Sequence, residues 1–384
     1  MKILAITGAR SEFDLLSTLY DKLHKDDFFD FKIVVTGAHL SETFGKTVSN
    51  IEAKEYPIAD RIYNLIDTDE KIGRLISLGN QIPAFAQTFN REKPDLIIVP
   101  GDREEAISVS MTGAYMDIPV VHFFGGDIAK DGNIDNSARY AASKFAHLHF
   151  VTLEEHKQTL LKLGEEESRI FVVGNPAIDN IISTPNISRK ELSKNIGFDI
   201  EKDDYLVLIK HPIITEFKEQ KQQMETILDA VVESDIKCLI NYPNSDAGNR
   251  EIINVIDSYV SKHDNLFTFK NLDRLNYINL LRNASSLIGN SSSGLLEAPS
   301  FNLPAINIGS RQRGRISAEN VVFIDHNKKN IVEAIDKVRN DTNFIEMVNK
   351  CVSPYGNGNT TEKVIKVLKN LIIDNGFIYK NITY

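Results

Sequence analysis

The sequence predicts an α/β protein built from two doubly wound domains that face each other across a cleft. Three observations predict it. The chain has 384 residues, and at roughly 100–200 residues per domain that length suits two domains. Short β-rich runs alternate with longer helical patterns along the chain, the signature of parallel sheets with crossover helices. A polar stretch, Ser183-Thr-Pro-Asn-Ile-Ser188, interrupts the alternation just beyond Asn175-Pro176.

In the first half the expected strands are Lys2–Thr7, Phe31–Thr36, Asp95–Pro100, Val120–Phe124 and Leu148–Thr152. Helical periodicity separates them over Phe13–Lys25, Lys71–Arg91 and Glu154–Leu163. In the second half the expected strands are Tyr205–Lys210, Lys237–Tyr242, Leu266–Phe269, Leu287–Gly289, Ala305–Ile308 and Val321–Ile324. Their expected helices are Gln220–Glu233, Arg250–Val260, Leu275–Arg282 and Lys329–Arg339. This division gives an N-terminal domain over residues 1–176 and a C-terminal domain over 177–360. A last helix, from about Thr361 to Ile373, is left over once the second sheet is complete, so residues 361–384 are expected to pack back on the first domain.

Apolar residues make up 42% of the chain and charged residues 25%, enough to bury two cores. The net charge of −9 argues against a nucleic-acid partner, because such proteins carry a basic face. Cys238 and Cys351 lie far apart and match no metal spacing. The start, Met1-Lys-Ile-Leu-Ala-Ile-Thr7, is too short for a secretory signal, and no apolar stretch approaches a membrane span. A soluble cytoplasmic protein with no membrane partner is expected.

The most informative stretch is Ile288-Gly-Asn-Ser-Ser-Ser-Gly-Leu-Leu-Glu-Ala-Pro-Ser300, with Arg311-Gln-Arg-Gly-Arg315 behind it. An apolar run stops at small polar residues, and a helix-forming pattern starts near Gly294. Hydroxyls and unpaired N–H groups at a helix start favour a phosphate. A carboxylate one turn on, Glu297, is a poor phosphate ligand but a good acceptor for two sugar hydroxyls. The pair points to a nucleotide, with its diphosphate on Ser291 and Ser292 and its ribose on Glu297.

Other strand ends carry further candidates. Gly8-Ala-Arg-Ser-Glu-Phe-Asp14 follows the first strand and is not the dinucleotide fingerprint G-x-G-x-x-G. There Arg10 either meets a phosphate bidentately or is a surface arginine. Gly101-Asp-Arg-Glu104 leaves Asp102 and Arg103 at a strand end. Asp102 is either a general base or an N-cap. His122-Phe-Phe-Gly-Gly-Asp-Ile128 offers Asp127 and a core histidine. Asp135 and Arg139 are four apart and share a face if helical, which also fits a plain salt bridge. His211, before Pro212, is a proton carrier, a phosphate donor or structural. Asn244 and Asp246 contact sugar or base, or form an Asx turn.

Together these residues resemble the UDP-N-acetylglucosamine 2-epimerase family, closest to its hydrolysing branch. The resemblance runs nearly end to end. It rests on Gly101-Asp-Arg103, Gly125-Gly-Asp127, Ile134-Asp135 with Arg139, Lys144 to His147, His211-Pro, Pro243 to Gly248, Gly289-Asn-Ser-Ser292 with Glu297, Arg311-Gln, Gly314-Arg315 and Glu319-Asn320. It implies two Rossmann-like domains in the glycosyltransferase-B arrangement, with the nucleotide held mainly by the C-terminal one. It implies that Ser291 and Ser292 contact the diphosphate and Glu297 the ribose, and that His211, Arg10 and Arg311 surround the phosphates and sugar. Asn244 would lie near the uridine or sugar, and Arg103 in the substrate site. Asp102, Asp127, Asp135, Arg139 and His211 would carry the catalysis. No metal and no cofactor is required, the partner is a UDP-sugar, and a homodimer or homotetramer is expected.

The implied reaction converts UDP-N-acetylglucosamine and water to UDP and N-acetylmannosamine through a 2-acetamidoglucal. The sequence departs from the family's pattern at Phe124, where many members carry an acid, at Tyr140, and over a longer loop, Ala129 to Asn133. A UDP-2,4-diacetamido-6-deoxy sugar is therefore the alternative substrate. A non-hydrolysing 2-epimerase, a glycosyltransferase of the same architecture, and a UDP-sugar-binding regulator without turnover also fit the pattern.

Overall fold

The computed structural model describes residues 1–68, 71–128, 134–243, 248–270 and 272–383. The chain divides into two compact units, each with one parallel sheet. One unit is built from Met1–Ile128, Gly132–Asn180 and Tyr355–Tyr384, the other from Ile181–Pro354.

The first sheet comprises β1 (Lys2–Thr7), β2 (Asp30–Thr36), β3 (Ile58–Ile62), β4 (Leu96–Pro100), β5 (Val120–Phe123), β6 (Leu148–Val151) and β7 (Ile170–Val172). Their order is β3-β2-β1-β4-β5-β6-β7. Side chains alternate across it. Ile3 and Ala5 enter one core with Leu96 and Ile98. Leu4 and Ile6 enter a second core with Ile97 and Val99. Both faces are thus covered, which is why these strands read as continuous apolar runs.

The second sheet comprises β8 (Tyr205–Ile209), β9 (Lys237–Asn241), β10 (Leu266–Phe269), β11 (Ser286–Gly289), β12 (Ala305–Ile308) and β13 (Val321–Ile324). Their order is β10-β9-β8-β11-β12-β13. Leu206 and Leu208 face one core, and Tyr205, Val207 and Ile209 the other. In each sheet the strand order reverses once, at β1/β4 and at β8/β11. At such a switch the loops leaving the carboxyl ends diverge and open a crevice, the usual ligand position in this class of sheet.

Two strands were not expected from the sequence, and both lie at sheet edges. β3 includes Asp60 and Arg61, and β7 has only three residues. Edge strands are short and polar because they need no apolar partner on both sides. The helix Thr360–Lys369 packs on the first unit, with Val364, Ile365 and Leu368 in the same core as Leu16, Leu19 and Leu23. Burial of that kind stabilises by roughly 1.5–3 kcal/mol per side chain. Asp179 caps its start, accepting from the main-chain N–H groups of Thr360 (3.2 Å) and Thr361 (2.9 Å). Among the described residues no helix is long and apolar enough to cross a membrane.

Candidate active site

In the first unit the site grows from the turn after β4. Gly101 has φ +85°, a left-handed conformation that glycine adopts without strain. Its carbonyl accepts from the buried His122 Nε2 at 2.7 Å, and His122 Nδ1 meets Ser143 Oγ at 3.0 Å. Burial lowers the His122 pKa to about 3, so this histidine is a neutral strut for the turn. Asp102 follows. The helix Glu104–Tyr115 takes Arg103 as its N-cap residue, without a side-chain cap. Asp102 is therefore not the cap that its position allowed, and its carboxylate instead pairs with Arg139.

Arg139 organises the acids. It lies in the helix Asp135–Phe145 and is buried. One terminal nitrogen meets the Asp102 carboxylate, and the other donates to the main-chain oxygen of Asp127 at 2.7 Å. Its four-residue spacing from Asp135 makes no bridge between those two side chains. Asp135 pairs instead with Arg74 at 3.3 Å, and Arg74 also meets Glu104. Burial first, and then the charge of Asp102, raise the Asp135 pKa above the ordinary carboxylate value, against the pull of Arg74. The Asp127 carboxylate lies 3.5 Å from His156 Nε2. The Arg139 guanidinium thus joins the Asp102 carboxylate to the Asp127 main chain, and Asp135, held by Arg74, lies within electrostatic range of Asp102. Arg74 has no motif around it, and nothing in the local sequence marks it.

Arg10 opens the helix Arg10–Lys25 and pairs with Asp14 at 3.2 Å. Two residues on, Glu12 points inward, at a position not expected to carry a candidate. Glu12 and Glu105 are both buried. Glu12 accepts from the Gly8 N–H at 3.2 Å, and Glu105 accepts from Gln81 at 3.0 Å. A methyl group at Gly8 would sit 2.4 Å from the Glu105 carboxyl, so a larger residue there would displace that side chain. Burial, and then Glu105, raise the Glu12 pKa to about 8. Arg103 lies within electrostatic range of Glu12, Glu105, Asp102 and Asp135.

The second unit carries a cluster of its own, a knot around Asn290. Gly289, the last residue of β11, has φ +126°, and a methyl group there would sit 2.1 Å from the Ile209 carbonyl oxygen. This lets the Asn290 side chain clamp His211, accepting from its N–H (2.7 Å) and donating to its carbonyl (2.8 Å). The Asn290 carbonyl accepts from Arg311 and from Gln312, both at 3.1 Å. Gln312 in turn accepts from Arg315 at 3.1 Å. His211, Arg311 and the start of the serine run therefore converge. Burial, then Arg311 and Lys210, lower the His211 pKa to about 4, so it is neutral near pH 7. Neighbouring Lys210 is buried against Gln220 at 2.7 Å, and that burial lowers its pKa to about 8.

The helix after the serines is shorter than its pattern suggests. It spans Ser293–Leu296 with Ser292 as N-cap residue, and Pro299 follows in a 3-10 turn, Ala298–Phe301. So short a piece has little macrodipole, and the favourable groups are the local donors and hydroxyls. Ser291 Oγ accepts from the Ser293 N–H at 3.3 Å. Glu297 stands at the junction, buried, with its carboxylate held by Arg274 at 3.1 Å. Arg274 and Asn290 were also not expected, since each acts through a partner distant in sequence. Asn244, Asp246 and the loop 129–133 lie outside the described residues.

A family model described as UDP-N-acetylglucosamine 2-epimerase matches residues 21–369. The UDP-N,N'-diacetylbacillosamine 2-epimerase (hydrolyzing) of Legionella pneumophila is 33% identical over 379 residues, 99% of this chain and 98% of that protein. The GDP/UDP-N,N'-diacetylbacillosamine 2-epimerase (hydrolyzing) of Campylobacter jejuni is 35% identical over 383 residues, again 99% and 98%. The crystal structure of UDP-GlcNAc 2-epimerase from Neisseria meningitidis bound to UDP-GlcNAc superposes with a TM-score of 0.82 at 20% identity, over 97% of this chain and 100% of that one. At that identity the likeness is one of fold.

Proposed function

The chain belongs to the UDP-N-acetylglucosamine 2-epimerase family, and we propose that it is a hydrolysing 2-epimerase whose preferred substrate is UDP-N,N'-diacetylbacillosamine. One observation supports this above the others: at the end of β4 Asp102 is paired with Arg139, which also holds the Asp127 main chain, and the Asp135 carboxyl lies within electrostatic range of Asp102. Asp102, fixed by Arg139, takes the proton from C2 as the C1–O bond to UDP breaks, leaving a 2-acetamidoglucal. Water adds at C1, and an acid on the other face returns a proton to C2. Asp135, with its raised pKa, suits that donor role, and Asp127 orients the sugar or the water. The products are UDP and the free 2-epimeric sugar.

The C2 proton is weakly acidic, so elimination depends on stabilising the departing diphosphate as charge builds up. Arg10, Arg103, Arg311, His211, Ser291 and Ser292 supply the cations and donors. Glu297, oriented by Arg274, accepts from the ribose hydroxyls, and Asn244 lies toward the uridine or the sugar. Residues 1–176 then form the sugar domain, with the C-terminal segment packed on it, and 177–360 the nucleotide domain.

The choice of sugar is supported by the names of the two relatives at 33% and 35% identity, and by Phe124. This phenylalanine follows β5 at φ +67°, contacts the first core, and puts an apolar surface where an acid would bind a hydroxyl. A C4 acetamido group and a C6 methyl present less hydroxyl than N-acetylglucosamine does, which is the second reading for the substrate. A cytoplasmic homodimer or homotetramer is part of the proposal. It is supported by the apolar Ile72, Leu75 and Ile76 exposed on the helix Lys71–Glu92.

The test is incubation with each UDP-sugar in deuterated water. The expected result is free UDP and the 2-epimer carrying deuterium at C2, faster from the diacetamido sugar. Faster turnover of UDP-N-acetylglucosamine would reverse the sugar choice. A 2-epimer still linked to UDP would mean the non-hydrolysing reaction, and UDP release without exchange at C2 would mean simple hydrolysis.

A further inference from the structure

The segment after the C-terminal helix is fastened to the first unit at residues that the proposed reaction does not use. Arg169, itself buried, donates to the carbonyls of Phe377 (2.6 Å) and Gly376 (2.9 Å) and sits 5.2 Å over the Phe377 ring. Asp374 caps the turn, accepting from the Phe377 N–H at 2.8 Å. Thr383 Oγ1 donates to the Glu165 carbonyl at 3.3 Å. Between these anchors stands Lys380. Its ammonium donates to the carbonyls of Ala146 (2.6 Å), Lys144 (2.9 Å) and Ser143 (3.3 Å). It also pairs with Glu165 at 2.5 Å. Glu165 is fully buried and holds Lys144 (2.7 Å) and His149 (3.1 Å) as well.

Two of these carbonyls, of Ser143 and Lys144, belong to the last turn of the helix Asp135–Phe145, which carries Asp135 and Arg139, and the third belongs to its C-cap residue, Ala146. A helix leaves its last carbonyls without intrahelical partners, and a cation there also complements the dipole. The chain of hydrogen bonds continues inward. Ser143 gives its carbonyl to Lys380 and its hydroxyl to His122, and His122 holds the Gly101 carbonyl beside Asp102. Ser143 also lies four residues, about one turn, beyond Arg139.

We propose that Lys380, anchored by Glu165, is a positioning residue for the Asp102–Arg139–Asp135 cluster. It acts through the end of this helix and the Ser143–His122–Gly101 hydrogen bonds. This inference rests on the acid–base role given to the cluster above. The strap sets the height and tilt of the helix, and so the place of the acids relative to C2. It touches no residue assigned to the nucleotide.

The experiment compares full-length wild type with Lys380→Met, Lys380→Gln and Lys380→Arg. Three quantities are read: turnover of the better UDP-sugar, UDP affinity by calorimetry, and amide hydrogen exchange across residues 135–145. Removing the charge is expected to slow turnover by roughly tenfold, as misplacement of reacting groups does. UDP affinity should stay within about twofold, since the lost interaction serves the reacting state. Exchange in the helix should quicken, and Lys380→Arg, which can still donate to the same carbonyls, should restore both. Wild-type turnover in Lys380→Met, parallel loss of UDP affinity, or no recovery with arginine would each overturn the proposal. If Lys380→Met does not fold, Lys380→Gln makes the same comparison. If wild type turns over no UDP-sugar, it is the reading of function that has failed. The exchange measurement then decides the strap alone, and unchanged exchange would overturn it.

Discussion

Glu12 and Glu105 lie against the same Gly8 turn inside the first unit, and each leaves one buried carboxylate oxygen, Glu12 Oε1 and Glu105 Oε2, without a hydrogen-bond partner. Two anions cannot share such a place cheaply, so one proton stays with the pair near neutral pH. Arg103 and Asp102 are the other charges that face Glu12, from the turn after β4, and Tyr20 faces it from its own helix.

A stability prediction follows from that proton. The folded Glu12 pKa is about 8, above its ordinary 4.5, so the folded state binds the proton more tightly than the unfolded chain. Its contribution is complete below pH 4.5 and is lost as pH rises through 8. Within that window the slope is about 1.4 kcal/mol per pH unit. Thermal unfolding from pH 5 to 9 should show wild type losing stability and Glu12→Gln losing markedly less. Identical slopes would remove Glu12 from the account.

The proposed base is tested by Asp102→Asn. Loss of a general base costs typically 100-fold or more in turnover. UDP affinity should stay within about twofold, because the proposal gives Asp102 itself no contact with the nucleotide. Equal losses in turnover and affinity would reassign Asp102 to holding Arg139 in place.

Glu297 tests the nucleotide site. Glu297→Ala removes the proposed acceptor for the ribose hydroxyls and takes its partner from Arg274, and UDP should bind roughly tenfold more weakly or worse. Turnover at saturating sugar should fall much less. Unchanged UDP affinity by calorimetry would count against ribose at this carboxylate.

Phe124 tests the sugar. Phe124→Glu restores an acid at the end of β5, and the ratio of kcat/KM for UDP-N-acetylglucosamine to that for the diacetamido sugar should rise. A change of roughly tenfold is the size expected when a carboxylate that accepts from one sugar hydroxyl replaces a ring that packs on a methyl group. A ratio that does not move would locate the sugar discrimination at other residues.

The interior strands were legible because burial on both faces leaves only apolar positions, as in Leu96–Pro100 and Tyr205–Ile209. Edge strands β3 and β7 were not, since half their surroundings are polar. In the site, Asp102, Asp135, Ser291 and Glu297 stood out as polar residues just past apolar runs. Their supports did not, because Arg74 reaches Asp135, and Arg274 reaches Glu297, across distances in sequence that no local pattern spans, as Asn290 does His211. Glu12 did carry a signal. It stands four, seven and eleven residues before Leu16, Leu19 and Leu23, on the face that goes inside. A carboxylate in a helix's first turn also complements the helix dipole at the surface, so its place in the apolar stripe does not by itself separate a buried from an exposed side chain.

Gly289 links the architecture of the second sheet to what happens when a nucleotide arrives. With the Ile209 carbonyl so near its α-carbon, β8 and β11 are locked at a spacing that no larger residue tolerates. The same close approach sets where Asn290 begins the turn that clamps His211. A ligand that docks on a turn held by such contacts has less chain to order, and more of its interaction energy then appears as affinity.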